Sequence, residues 1–145
     1  ASRSQIPIAG YETIQGRFGF KELIAAGAVD IVQPDATWSG GITESRRIAA
    51  LASCHHLPCA PHVFGSAVGL AANAHLLASL PNGMVLEIDQ TPNALREELL
   101  QEPIDIDHEG MVSVPKGPGL GIKLNPDTIA RYRVSPERNA SVRAE

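Results

Sequence analysis

Aromatic residues are scarce, at 4% of the 145-residue chain, and its twelve Lys and Arg are scattered. Surfaces that bind nucleic acid need stacking rings or a basic stripe, so that function class is excluded. Net charge is modest, −4 at neutral pH, so no strong field of one sign points to a polyanionic partner. Cysteine is nearly absent. Cys54 and Cys59 are too few for a disulfide framework, and a reducing, cytoplasmic setting is the expectation. No apolar run approaches a membrane span of roughly 20 residues, and residues 1–6 lack the hydrophobic region of a signal peptide. No membrane contact is expected.

What is present is the composition of a folded domain. Hydrophobic residues make up 43% and charged residues 19%, and the length suffices for one domain with a real core. Ile6-Pro7-Ile8-Ala9 is a short apolar run ending in Gly10-Tyr11-Glu12. Phe20, Leu23 and Ile24 then recur at helical spacing, and Gly27 stands where that helix would stop. Ala28-Val29-Asp30-Ile31-Val32 is strand-like and ends in Gln33-Pro34-Asp35. After Ser39-Gly40-Gly41, a second helix carries Ile48, Leu51 and Ala52, with Thr43 as its expected N-cap. Leu57-Pro58-Cys59-Ala60 is a third strand, closed by Pro61-His62. Gly65-Ser66 opens a third helix with Leu70, Ala74 and Leu77 on one face. Met84-Val85-Leu86 is a fourth strand, ending at Glu87.

The alternation stops after Asp89. Residues 93–100 suit a short helix. Ile104-Asp105-Ile106 and Met111-Val112-Ser113-Val114 flank His108-Glu109-Gly110 as a hairpin. Asn125-Pro126 reads as a helix start. The division expected is four β/α units over residues 1–92, a C-terminal segment over 93–134 and a frayed, disordered tail over 135–145.

Short apolar strands alternating with helices imply an α/β fold with a parallel sheet buried on both faces. The residues ending the strands fall at 12, 35, 62 and 87, which is the spacing of one repeated β/α unit. Each strand ends in a single ionisable side chain. In a closed barrel such ends converge on one mouth, and a closed barrel takes about eight strands and roughly 250 residues. The chain supplies about four parallel strands with their helices, and so reads as half of a TIM-type barrel followed by a short hairpin and helix.

His62 projects from a strand end and offers a proton-accepting nitrogen near neutral pH without special tuning. Asp35 occupies the equivalent place on the neighbouring strand. Adjacent strands lie about 4.8 Å apart, so the two can meet. A carboxylate on one ring nitrogen fixes the tautomer and makes the other nitrogen more basic. Glu12 and Glu87 bracket this pair. A carboxylate at a barrel mouth can ligate Mg²⁺, or donate a hydrogen bond when burial raises its pKa.

These residues resemble a family. Pro7-Ile8-Ala9-Gly10-Tyr11-Glu12, Gln33-Pro34-Asp35-Ala36 with Gly40-Gly41-Ile42-Thr43, Ala60-Pro61-His62-Val63-Phe64-Gly65-Ser66 and Leu86-Glu87-Ile88-Asp89 are similar to motifs of the enolase superfamily. Within it they resemble the mandelate racemase/muconate lactonizing enzyme group, in particular its acid-sugar dehydratases and cycloisomerases. Pro118-Gly119-Leu120-Gly121 resembles that group's C-terminal segment. The resemblance implies the C-terminal half of a (β/α)7β barrel, strands five to eight. It implies that Glu12 is the third carboxylate ligand of an essential Mg²⁺ and that His62 is the base of a dyad with Asp35. Glu87 is the implied hydrogen-bonding partner of the substrate carboxylate. The implied reaction is removal of the proton next to that carboxylate, stabilisation of the enediolate and loss of a β-hydroxyl. An aldonate or aldarate would become a 2-keto-3-deoxy acid. Tyr11 stands where a second Gly is common.

The family's first two metal ligands, its opposing Lys base and its capping domain have no counterpart in this chain. Three readings follow: a carbon–oxygen lyase present as one part of a longer enzyme, an inactive half-barrel or binding module, and a racemase, epimerase or cycloisomerase using the same residues. Further acidic strand ends and a Lys-bearing strand upstream would favour the first over the second. A second base on the opposite face would favour the third. Open sheet edges and an exposed inner face imply self-association or a missing N-terminal half.

Rival sites are weaker. Cys54-His55-His56-Leu57-Pro58-Cys59 fits no common zinc spacing and spans a helix end and a strand, so its side chains should point apart. Gly65-Ser66-Ala67-Val68-Gly69 is no nucleophile elbow, because Phe64 stands where the first Gly is required. Gly117-Pro118-Gly119-Leu120-Gly121 lacks the strand and helix that a phosphate loop needs, and reads as a turn.

Overall fold

A computed structural model describes residues 4–134 of the chain. The tail expected over 135–145 lies outside the described residues. The element order is β1 (Ala9–Gly10), α1 (Gly16–Ala25), β2 (Ile31–Val32), α2 (Ile42–Ser53), α3 (Ala67–Ala78), α4 (Ala94–Glu97) and α5 (Pro126–Tyr132). β1 and β2 pair in parallel, Ala9 with Ile31 and Gly10 with Val32. Two further parallel bridges, Val32 with Cys59 and Cys59 with Gly83, extend the ladder. Four neighbouring parallel segments with helices between them form the α/β half-barrel that the repeat implied.

The third and fourth segments are shorter than their apolar runs suggested. Pro58 and Pro61 flank the third, and proline has no N–H to give a ladder. Its pairing rests on Val32 N–H to the Pro58 carbonyl at 3.0 Å and Ala60 N–H to the Val32 carbonyl at 3.0 Å. On its other side Cys59 N–H reaches the Asn82 carbonyl at 2.9 Å, and Met84 N–H reaches the Cys59 carbonyl at 2.8 Å. The fourth segment thus pairs through Gly83 and Met84 rather than across 84–86.

Helix ends follow local chemistry. Gly27 takes φ 57°, the left-handed conformation that stops α1 at little cost. The N-cap of α2 is Gly41 and not Thr43, which lies inside the first turn. Gly41 adopts φ 92°, a region closed to a β-branched residue such as Thr, and the chain enters the helix two residues earlier than the Thr43 hydroxyl would place it. Ser66 caps α3 as expected, its side chain accepting from Gly69 N–H. Asn125 caps α5, with Pro126 at the first helical position.

The core lies between α1, α2 and the sheet. Phe20, Ile48, Ala52 and Val32 are fully buried there, beside Leu23, Ile24 and Val29. Arg17, in α1, donates through both its backbone N–H and its Nε to Glu44 Oε1, each at 2.9 Å, which ties α1 to the first turn of α2. Because Val32 faces the helices, Ile31 and Gln33 face the opposite side of the sheet.

The C-terminal segment carries an antiparallel bridge between Ile106 and Val112 around a turn at 107–110, the hairpin expected there, and a second bridge between Leu100 and Leu124. His75, half-buried in α3, meets the Leu120 carbonyl at 3.1 Å and anchors this segment to the barrel. Among the described residues, no helix is long and apolar enough to cross a membrane.

Candidate active site

The ladder aligns Gly10, Val32, Cys59 and Gly83 in one row across four parallel segments. Glu12 lies two residues past that row, Asp35 and His62 three, and Glu87 four. Parallel strands share a direction, so all four side chains issue from the C-terminal ends of their segments, on one rim.

Among these four, one direct contact forms. His62 Nδ1 lies 3.1 Å from Asp35 Oδ2. The Asp35 side chain is 1% exposed and that of His62 18%, so the carboxylate is sealed while the ring keeps an open side. His62 N–H also donates to the Pro34 carbonyl at 3.2 Å, continuing the strand pairing into the site. The Phe64 ring stacks near His62 at 6.4 Å between centroids.

Asp35 is densely hydrogen-bonded. Its Oδ1 accepts from Thr37 N–H at 2.8 Å, the Thr37 hydroxyl at 2.8 Å and Asn73 Nδ2 at 3.0 Å. Burial pushes the Asp35 carboxyl up, but the Thr37 and Asn73 bonds, with His62 adding, outweigh it and hold the carboxyl below its ordinary value. Asp35 is therefore an anion at neutral pH, as an orienting partner for imidazole must be.

The depressed carboxyl has a consequence for acid stability. Asp35 stabilises the fold fully above the unfolded-state value of about 3.9, and this contribution is lost as pH falls through the lower native value. Denaturant midpoints followed downward from about pH 6 should show the loss below about pH 4. Asp35→Asn, which cannot titrate, should start less stable and show a flatter acid limb.

Glu87 is exposed, and its Oε2 accepts from Gln33 Nε2 at 2.7 Å. Gln33 reaches it because that residue faces the side of β2 opposite the helices. Glu12 is half-buried and makes no hydrogen bond or ion pair with another described residue. Among the described residues, no three His, Cys, Asp or Glu side chains group as metal ligands.

Three residues escaped the sequence reading. Gln33 holds Glu87, and Asn73 holds Asp35. Asp89 lies near enough to His62 to feel its charge. Its carboxyl is kept below the ordinary value chiefly by Thr91, with Arg96 and His62 adding. Arg96 also donates to the Asp89 backbone carbonyl. A signal existed for Asn73, which sits three residues from Leu70 and one from Ala74 on the apolar side of α3, where a polar residue needs a reason. None existed for Gln33, whose partner lies 54 residues away.

Residues 1–128 match the enolase C-terminal domain-like family. D-galactarolactone cycloisomerase of Agrobacterium fabrum is 40% identical over 137 residues, covering 89% of this chain and 36% of the relative. Arabinonate dehydratase of Saccharolobus solfataricus is 38% identical over 133 residues, covering 92% of this chain and 35% of the relative. The crystal structure of the 3,6-anhydro-D-galactonate cycloisomerase from Zobellia galactanivorans superposes with a TM-score of 0.82 at 37% identity, over 90% of this chain and 37% of that one. The chain spans about a third of the length of the curated relatives it matches.

Proposed function

We propose, because this chain belongs to the enolase C-terminal domain-like family, that it carries the base-bearing part of an active site that dehydrates a sugar acid. The observation that carries this reading is the sealed Asp35 carboxylate bonded to a partly open His62 ring at 3.1 Å. With Nδ1 engaged by Asp35, Nε2 is the ring nitrogen left to take a proton. His62 removes the proton next to the substrate carboxylate, and charge moves onto the carboxylate oxygens. The C–O bond to the β-hydroxyl then breaks, and the proton held by His62 leaves with that hydroxyl as water. The enol that remains tautomerises to a 2-keto-3-deoxy acid. Glu87, steadied by Gln33, is the contact to the substrate carboxylate.

Magnesium prefers about six oxygen ligands and keeps its waters tightly. The described residues do not fit a complete site for it, since Glu12 is one carboxylate and no group of three candidate ligands forms among them. Glu12 is proposed as one ligand of a Mg²⁺ ion whose other protein ligands come from a longer protein containing these units. Such an ion would supply charge stabilisation at the substrate carboxylate.

The division into units over 1–92 and a segment over 93–134 belongs to the same proposal. So does association with a further barrel half or a second copy, supported by Met84 and Val85, each more than half exposed beside a strand with one paired neighbour.

The experiment incubates arabinonate, xylonate and galactonate with Mg²⁺ in deuterated water, using the chain alone and a longer protein that contains it. The longer protein should release the keto acid with deuterium at the carbon that lost the hydroxyl, taken up when the enol tautomerises, and the chain alone should release none. Turnover by the chain alone would overturn its incompleteness, and silence of the longer protein on all sugar acids would overturn the reaction class. A second reading, cycloisomerase, is favoured by the 40% identity to the A. fabrum enzyme. It uses the same proton abstraction and predicts an isomerised product with no loss of water.

A further inference from the structure

Asn73 is fully buried in the middle of α3. Its Nδ2 donates to Asp35 Oδ1 at 3.0 Å and to the Gly69 carbonyl at 3.1 Å, and its Oδ1 accepts from Ala36 N–H at 3.0 Å. Both donors and one acceptor site of the amide are thus used, two of them by the loop that carries Asp35. α3 follows the strand that carries His62. Asn73 therefore links two adjacent β/α units, gripping the carboxylate of one from the helix of the next.

The division of labour on Asp35 is uneven. Oδ1 collects three donors, two from Thr37 and one from Asn73, while Oδ2 meets His62. The Thr37 contacts come from within the loop and can move with it. The Asn73 contact comes from a helix fixed by burial of Ala71, Ala74 and Leu76. Gly69, one turn earlier, lets that loop sit close, since a Cβ there would stand 3.3 Å from Thr37 Cγ2.

We infer that Asn73 is a positioning residue which clamps one oxygen of Asp35 from α3, so that the other oxygen faces His62 Nδ1 and holds the ring in the Nδ1–H tautomer. This deepens the proposed function and rests on it for its catalytic meaning. The contact itself is testable without turnover. Asp89, a second carboxylate influenced by His62, makes no hydrogen bond to Asn73.

The test compares Asn73→Ala, Asn73→Ser and Asn82→Ala in the 145-residue chain. Asn82 is the control, because its amide also donates to two carbonyls, of Ala49 and Leu57, yet touches neither dyad residue. Ring ¹⁵N shifts report the His62 tautomer, and carboxyl ¹³C titration reports Asp35. Both Asn73 variants should lose the single Nδ1–H tautomer to a mixture and move the Asp35 midpoint up toward the ordinary carboxylate range. Asn82→Ala should lower the Tm and leave both readouts unchanged. Asn73 variants that lower the Tm with tautomer and titration intact would reduce the residue to packing and overturn the inference. Should both variants unfold, the unaltered chain decides. There the Asn73 side-chain amide should titrate with the Asp35 midpoint, and an amide indifferent to that midpoint overturns the clamp. Loss of sugar-acid turnover by the longer protein would count against the function alone, because neither readout uses turnover.

Discussion

His62→Asn is expected to slow proton abstraction from a sugar acid by roughly 10²–10⁴-fold, the usual contribution of one positioned general base. Asn is of similar reach and can still donate to Asp35 Oδ2, so the sealed carboxylate keeps a partner and the fold is spared an unpaired buried charge. The affected quantity should be kcat, with KM little changed, because the ring is needed when the proton moves and not for holding the sugar. Loss of deuterium from a sugar acid labelled next to its carboxylate, followed in ordinary water, measures the step directly in the longer protein. A rate within about threefold of the unaltered protein would fall far below the loss of a general base, and would remove His62 from that role.

Phe20→Ala carries the largest expected effect on stability. Phe20 has no exposed surface and packs with Leu23, Ile24, Val29, Val32, Ile48 and Ala52, so it joins α1, β2 and α2 in one cluster. Truncating such a phenylalanine costs about 3–5 kcal/mol. A domain commonly has only about 5–15 kcal/mol in total, so much of the stability would go. Urea titration should show a lower midpoint at similar slope. Phe18→Ala supplies the contrast. Phe18 is 77% exposed, and its replacement should stay within about 0.5 kcal/mol. Equal losses for the two would mean that the helix faces are misassigned. The damage should also reach the rim, because Val32 belongs to the cluster and Asp35 follows it by three residues.

The architecture was legible because its signals are local. Gly27 and Ser66 mark helix ends by their own conformational and hydrogen-bonding chemistry. Asn125-Pro126 does the same for α5, and His108-Glu109-Gly110 marks a turn between two apolar runs. The repeat of strand-end residues at 12, 35, 62 and 87 placed the rim, and the His62–Asp35 contact follows from neighbouring strands. Thr43 misled because a hydroxyl is a good cap only where the backbone permits it, and the positive φ at Gly41 settled the helix start instead. The third strand was overextended because apolar character was weighed more than the missing N–H groups of Pro58 and Pro61. Asn73 and Gln33 were not legible as partners. Their contacts span 38 and 54 residues, and periodicity reports which face a residue occupies, not what waits across from it.

Cys59 sits in the middle of the parallel ladder with no exposed surface, and burial pushes its thiol up to about 12. At neutral pH it carries almost no thiolate, the form that alkylating reagents attack. Cys54, at the end of α2, is exposed. The two thiols therefore make an internal stopwatch and its reference. One takes up label on mixing, and the other takes it up only when the sheet's centre swings away from the helices, so counting labels against time gives the frequency of that opening without any dye or tag.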